Sequence, residues 1–181
     1  GSGQERITLL KKFKDNLKAE YLDIEYSTDK KIMNGLIKHK DKSKIIISFH
    51  NFEDTPQDLF GIKDKIKKLN PDFIKIVTKA NSVVDNFRIF DLIAKAKREN
   101  KKIISFCMGS FGEFSRILSL ILGSHITYAS TEKGQESASG QLTMEELIEV
   151  YRIKKLNEYS KIAGLIGNPV EHSFSPIIHN A

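Results

Sequence analysis

The alternation of short apolar runs with amphipathic segments is the feature that most constrains how this chain can fold. Five apolar runs begin near residues 21, 44, 72, 101 and 125, so a new run begins every 23 to 29 residues. This is the period of a βα repeat, which places consecutive strands parallel in one sheet. The predicted strands are Tyr21–Tyr26, Lys44–His50, Asp72–Thr78, Lys101–Cys107 and His125–Ala129, and the predicted helices are 5–18, 29–39, 57–69, 82–99, 112–122 and 143–156.

Polar groups near the carboxyl ends of these strands favour a barrel over a doubly wound sheet, because (β/α)₈ barrels build their active sites there. No strand is followed by GxGxxG or by GxxxxGK[ST], which argues against nucleotide binding. We therefore predict an α/β fold of the (β/α)₈ TIM-barrel type, incomplete, with about five βα units present and the missing strands expected before residue 1. The groups in question are Glu25, His50, Lys75, Met108-Gly109 and Ser130.

The composition is that of an ordinary globular protein and excludes several classes. The chain has 181 residues, 40% hydrophobic and 29% charged, and no apolar run approaches the ~20 residues of a membrane span. The net charge is +6, but the lysines are spread along helical segments without a basic stripe, so we expect no nucleic-acid partner. A basic surface suits a small anionic substrate. The single Cys107 cannot form an internal disulfide, which predicts a reducing, cytoplasmic location.

Lys75 is the residue most suggestive of chemistry. It lies in the apolar, β-branched run Asp72–Thr78. A buried lysine must either find a partner or become a neutral amine, and a neutral amine in a pocket is what Schiff-base chemistry requires. The alternative is that Lys75 points outward from a half-exposed strand.

His50 ends the strand that precedes the Lys75 strand and lies 25 residues earlier in the chain. One βα unit of separation places the two residues on adjacent strands at the same end of the sheet. An imidazole beside an amine suits general acid–base catalysis on an iminium intermediate. A histidine that only caps the strand end is the alternative.

Five motifs in the same order resemble those of type I 3-dehydroquinate dehydratase, and the resemblance covers about residues 4–155. Ser139 stands where the family has a proline. The family's E-x-R pair and its R-x-x-x-E/G-G segment are absent. The matching segments are Asp23-Ile24-Glu25, Ser48–Pro56, Ile74-Lys75-Ile76, Met108-Gly109 with Gly112 and Ser115-Arg116, and Ser137–Gln141.

The resemblance implies a dehydration of 3-dehydroquinate in the shikimate pathway of aromatic amino-acid biosynthesis. Lys75 would form an imine with the C3 ketone, and His50 would move protons at C2 and at the C1 hydroxyl. Arg116 would hold the substrate carboxylate, while Ser137 and Gln141 would close a loop over it. No metal or organic cofactor is implied, because the imine is the electron sink. Glu25 and Met108 would have supporting roles.

A second resemblance begins where the first ends. Gly164–Asn180 resembles the opening of shikimate dehydrogenase, in which two serines contact shikimate. Those serines would be Ser173 and Ser175. NADP would be expected only for the dehydrogenase domain, whose catalytic residues are not in this chain. The predicted domains are 1–157, the dehydratase barrel, and 158–181, a linker and the start of the dehydrogenase.

These resemblances together predict part of a fused dehydratase–dehydrogenase. An opened barrel exposes two strand edges, so we expect a homodimer or other association through those edges, and little or no turnover by this chain alone. Two alternatives stay open at this point. One is another Schiff-base barrel lyase, such as a class I aldolase, and the other is a non-catalytic assembly fragment.

Overall fold

The computed structural model describes residues 8, 12, 19–38, 42–165, 167, 169–170 and 172–180. The helix predicted for 5–18 lies outside the described residues, apart from two positions. The strands are β1 (Tyr21–Glu25), β2 (Lys44–His50), β3 (Phe73–Lys79) and β4 (Ile103–Met108). The α-helices are α1 (Lys30–Lys38), α2 (Leu59–Lys67), α3 (Asp85–Arg98), α4 (Ser115–Leu122) and α5 (Ser175–His179).

The four strands form one parallel sheet in the order β1-β2-β3-β4, which confirms the parallel α/β class. Each strand is followed by a helix, and four of the predicted helices correspond to α1–α4 with shorter ends. Local chemistry supports these starts: the Asp58 carboxylate accepts the Gly61 N–H (2.8 Å) at the beginning of α2. No described helix is long and apolar enough to cross a membrane.

The two faces of the sheet differ in composition. One face packs against α1–α4 and forms the main apolar core, to which Ile24, Ile47, Ile76 and Cys107 contribute. The other face, which we call the site face, carries both polar side chains and a smaller apolar cluster. Its residues on the four strands are Tyr21, Asp23, Glu25, Lys44, Ile46, Ser48, His50, Phe73, Lys75, Val77, Lys79, Ile104, Phe106 and Met108.

The prediction of a fifth strand at His125–Ala129 is wrong. The His125 N–H donates to the Ile103 carbonyl (2.9 Å), but among the described residues no ladder continues from that bond. A segment paired on one side only gains few backbone bonds, and this one is held instead by side-chain packing. Ile126 and Tyr128 pack against the apolar cluster of the site face.

The single helix predicted for 143–156 is also wrong in its extent. The Thr143 hydroxyl accepts the Glu146 N–H (3.1 Å) and starts a π-helical turn at Glu146–Val150. Arg152 then adopts a left-handed backbone conformation (φ 48°), which a continuous right-handed helix cannot contain. A separate 3₁₀ turn follows at Ile153–Lys155.

Candidate active site

Lys75 lies on the site face and is buried, with 8% of the residue exposed. Its Nζ donates a hydrogen bond to Asp23 Oδ2 at 2.8 Å, across β2. The same Nζ lies 4.4 Å from the centroid of the Tyr128 ring. The alternative of an outward, half-exposed lysine is therefore wrong. A buried lysine is expected either to find a partner or to become a neutral amine, and in the structure Lys75 has a partner.

His50 lies on the same face at the carboxyl end of β2. Its Nδ1–H donates to Glu25 Oε2 at 2.6 Å, and the Ser48 hydroxyl donates to the same oxygen at 3.2 Å. The ring stacks on Phe52, with centroids 5.9 Å apart. A carboxylate on Nδ1 fixes the tautomer and leaves Nε2 available to accept a proton. Glu25, whose assigned part was only a supporting one, thus orients His50.

The sheet register relates the two candidate catalytic residues. Ser48 is the β2 residue directly beside Lys75, and His50 is two positions further along the same strand. Side chains two residues apart in a strand point to one face and are displaced by about 6.5 Å. The His50 backbone is therefore one pleat nearer the carboxyl ends of the strands than the Lys75 backbone.

Arg116, near the start of α4, has the largest fully buried side chain among the described residues, with 2% of the residue exposed. Its Cζ lies 4.6 Å from the centroid of the Phe106 ring, on the site face. Its Nη2 donates to the Ser139 carbonyl (3.3 Å), and its Nε is buried with no hydrogen-bond partner in the described part of the chain. Burial lowers the pKa of the Arg116 guanidinium to about 10, so it is a cation at neutral pH. A buried cation with an unused donor favours an anionic ligand.

The loop that holds Ser137 and Gln141 reaches the strand ends. The Gln141 side-chain oxygen accepts both the Ser137 N–H (2.8 Å) and the Ser137 hydroxyl (3.1 Å), which closes the loop on itself. The Ser139 carbonyl accepts the Gly109 N–H at 3.0 Å. The loop is therefore anchored beside Met108, which is buried on the site face.

Two residues in contact with Lys75 had no assigned role in the sequence interpretation. Asp23 was noted only as part of a motif, and Tyr128 only as part of a predicted strand. The alternation of β1 was a usable signal, because Asp23 and Glu25 must share a face. Tyr128 had no such signal, because its segment is not a regular strand.

Ser175 is the first residue of α5, and Ser173 lies in the turn before it. The Ser173 hydroxyl accepts the Ser175 N–H at 3.1 Å. The apolar neighbours Phe174, Ile177 and Ile178 are each more than half exposed.

A family model described as type I 3-dehydroquinase matches residues 1–158. The chain belongs to the type I 3-dehydroquinase family. It is 42% identical over 154 residues to the 3-dehydroquinate dehydratase of Dehalococcoides mccartyi, covering 84% of this chain and 68% of that protein. It is 35% identical over 167 residues to the chloroplastic bifunctional 3-dehydroquinate dehydratase/shikimate dehydrogenase of Arabidopsis thaliana, covering 91% of this chain and 27% of that protein.

The fold of this type I 3-dehydroquinase chain is likewise that of solved dehydratases. The structure of dehydroquinate dehydratase and shikimate dehydrogenase from S. pombe matches with a TM-score of 0.70 and 26% identity, over 98% of this chain and 34% of that one. The solved type I 3-dehydroquinate dehydratase of Clostridium difficile gives a TM-score of 0.74, and the 3-dehydroquinate dehydratase of Geobacillus kaustophilus gives 0.77. The barrel class is thereby confirmed, and the described residues form an arc of the barrel that is not closed.

Gly140 permits the close approach of the 3-dehydroquinase loop to the strand ends, and Gly140→Ala is expected to separate them. Gly140 has φ 72°, and an added Cβ would lie 2.5 Å from the Gly109 carbonyl oxygen. The Gly109 amide should then lose its bond to Ser139 and exchange its hydrogen at least about tenfold faster, a loss of about 1.4 kcal/mol. Hydrogen exchange followed by NMR measures this rate.

Gly134→Ala is the matched control for Gly140→Ala. Gly134 also has a positive φ (88°) in the same segment, but an added Cβ meets nothing within 4 Å. It should leave Gly109 protection unchanged. Equal loss of protection in both variants would mean that backbone strain, and not the contact with Gly109, determines the loop position.

Proposed function

We propose that this chain carries the catalytic part of a 3-dehydroquinate dehydratase, a carbon–oxygen lyase that acts through a lysine Schiff base. The observation that carries the proposal is the placement of buried Lys75 and Glu25-bound His50 on one face of the sheet. Membership in the type I family supports the substrate. The chain spans 27% of the Arabidopsis protein and 68% of the Dehalococcoides protein, so the activity of the whole protein is part of the proposal.

The proposed reaction begins at Lys75. The Lys75 ammonium first gives up a proton, and the free amine attacks the C3 carbonyl. The resulting carbinolamine takes a proton back as its hydroxyl leaves as water, which gives an iminium. His50 Nε2 takes a proton from C2, and the electron pair of that C–H bond moves into the iminium to form an enamine. The enamine electrons then expel the C1 hydroxyl, which takes the proton from His50 and leaves as water. Hydrolysis of the product imine releases 3-dehydroshikimate and restores Lys75.

The proposed substrate contacts follow from charge and position. Arg116 is a buried cation with a free Nε donor in the described part of the chain, and it would bind the substrate carboxylate. Ser137 and Gln141, joined to each other, would lie over the substrate as the loop closes. Met108 would contact its apolar side. The imine supplies the electron sink, so the proposed reaction uses no metal or organic cofactor.

We further propose that the chain is part of a fused enzyme whose second half is a shikimate dehydrogenase. The Arabidopsis relative and the S. pombe structure both carry the two enzyme names, and the S. pombe match extends over 98% of this chain. Exposed apolar groups on α5 support a missing partner for that segment. Ser173 and Ser175 would contact shikimate there, and NADP would bind only in the remainder of that domain.

Association between copies and a cytoplasmic location complete the proposal. Among the described residues, β1 is paired only with β2, so its other edge offers backbone donors and acceptors to a second chain. Cys107 is a buried free thiol, which suits a reducing compartment.

The test is borohydride trapping with 3-dehydroquinate, read by intact-protein mass and peptide mapping. We expect an adduct on Lys75 that disappears in Lys75→Met and remains in Lys79→Met, a control at the end of the same strand. An adduct with sugar phosphates but not with 3-dehydroquinate would favour a class I aldolase. A third outcome would favour a non-catalytic fragment. In that outcome no adduct forms, and any binding of a shikimate-like acid is unchanged in Arg116→Ala.

A further inference from the structure

The amine of Lys75 lies between two groups that both favour a positive charge. The Asp23 carboxylate accepts its hydrogen bond at 2.8 Å, and the face of the Tyr128 ring lies 4.4 Å away. The Tyr128 ring is in turn held against Phe106, with centroids 6.1 Å apart. Opposite charge and an aromatic face are the two common ways in which a protein stabilises a buried cation.

Asp23 is directed at Lys75 and at no other donor in the described part of the chain. Its second oxygen, Oδ1, is buried there without a hydrogen-bond partner. The neighbouring carboxylate, Glu25, is already bonded to His50 and Ser48. Each acidic residue of β1 therefore contacts a different candidate catalytic group: Asp23 bonds to the Lys75 amine and Glu25 bonds to the His50 imidazole. Other ionisable groups of the site face and its border are Tyr21, Lys44, Lys79, Lys102, Arg116 and His125.

We propose that Asp23 and Tyr128 form a cage that keeps the nitrogen of Lys75 positively charged after it becomes an iminium. The inference rests on the proposed function for its natural substrate, but it concerns any imine formed at this lysine. Ammonium and carbonyl give iminium and water, so the charge on nitrogen is the same before and after condensation. A cage already matched to the ammonium needs no rearrangement when the iminium forms.

The cage matters because only the protonated imine is a good electron sink. A neutral imine accepts the C2 electron pair poorly, and a simple alkyl imine loses its proton near neutral pH. Asp23 and the ring oppose that loss. Asp23 holds the nitrogen of Lys75 through a hydrogen bond of 2.8 Å. Removing Asp23 should therefore move the pH window of imine trapping to lower pH.

The experiment is reductive alkylation of the full chain with glycolaldehyde and cyanoborohydride, which reduces iminium ions in preference to neutral imines. Peptide mapping measures the modification of Lys75 from about pH 5 to about pH 10, with the remaining lysines as internal references. In Asp23→Asn the window of Lys75 trapping should move down by about one pH unit. Glu20→Gln, which removes an exposed carboxylate from Lys44, should leave the window in place.

A pair of Tyr128 variants tests the aromatic face independently of Asp23. Tyr128→Phe keeps the ring and should keep the window, whereas Tyr128→Leu should move it down by about half a unit. If Asp23→Asn fails to fold, the two Tyr128 variants still test whether the cage sets the pH window of trapping. Reduced trapping at every pH, with no movement of the window in either variant, would overturn the cage and leave only a structural role.

Repeating the measurement with 3-dehydroquinate separates the two proposals. If glycolaldehyde modifies Lys75 with the expected shifts but 3-dehydroquinate forms no adduct, the cage stands and the proposed substrate fails. If 3-dehydroquinate forms the adduct and neither set of variants shifts the window, the substrate stands and the cage fails.

Discussion

Replacing His50 with alanine is expected to slow the dehydration of bound 3-dehydroquinate by about 100- to 10,000-fold, the usual contribution of a placed general acid–base. Imine formation at Lys75 should continue, because Lys75 keeps Asp23 and Tyr128. Dehydration should slow because the variant lacks the proton acceptor, His50 Nε2, which Glu25 positions through its 2.6 Å bond to Nδ1. Without His50, the side chain still bonded to Glu25 among the described residues is the Ser48 hydroxyl, which is far too weak a base to remove the C2 proton.

The mass of the trapped adduct measures this effect directly in a single turnover. Borohydride added at increasing times after 3-dehydroquinate captures the substrate adduct first and then the adduct that has lost one water. In His50→Ala the first adduct should persist. His125→Ala is the matched control, since the His125 ring packs edge-on against Phe73, with ring centroids 5.6 Å apart. Equal and measurable rates of water loss in native and His50→Ala chains would exclude His50 as the general base.

The largest expected effect on stability comes from Glu99→Gln, which should lower the free energy of unfolding by about 3 kcal/mol. The Lys63 side chain is completely buried, and its Nζ donates to Glu99 Oε1 at 2.7 Å. Lys67 donates to the other oxygen at 2.9 Å. Removing this carboxylate leaves the half-exposed Asp64, 3.2 Å away, as the one negatively charged partner of the buried ammonium among the described residues. Urea unfolding measures the loss.

Glu158→Gln provides the control, because the Lys97–Glu158 pair is exposed on both sides and should contribute no more than about 0.5 kcal/mol. Similar losses in the two variants would show that burial of Lys63 has no energetic consequence.

The same carboxylate predicts a pH dependence of stability. The hydrogen bonds from Lys63 and then Lys67 lower the pKa of Glu99 to about 2, against 4.5 for an ordinary glutamate. A carboxyl with a lowered folded-state pKa stabilises the fold fully above its unfolded value and loses that contribution as pH falls through the folded value. The difference between native and Glu99→Gln chains should therefore be constant above about pH 4.5 and shrink toward pH 2.

Much of the sheet could be predicted from residue patterns, because buried parallel strands are continuous apolar runs. The β2 bounds agree at both ends, and β1, β3 and β4 agree within two residues. Prediction failed where pairing rather than composition decides. His125–Ala129 has the composition of a strand but lacks a ladder, and Arg152 ends a helical segment through a backbone conformation that its residue type does not announce.

The candidate site was predictable in part for the same reason. The alternation of strands places Lys75 and His50 on one face once the register is parallel. The partner of Lys75 could not be deduced, because Asp23 lies 52 residues away and its contact crosses an intervening strand. The role of the carbonyl of Ser139 was equally hidden, since backbone groups have no sequence signature. The assigned roles of Arg116, Ser137 and Gln141 stay predictions until ligand binding is measured.

The Ser139 carbonyl accepts two donors, the Gly109 N–H and the Arg116 guanidinium. One oxygen thus connects the loop, the end of β4 and the start of α4. Lifting the loop breaks both bonds together and leaves a buried cation with fewer partners, at a cost of about 1 to 3 kcal/mol. A carboxylate that binds to Arg116 would offset this loss, and its departure would leave the guanidinium with fewer partners again. If Arg116 binds the substrate carboxylate as proposed, entry of the ligand and orientation of the arginine form a single event, and the residence time of a bound acid should follow the opening rate of the loop.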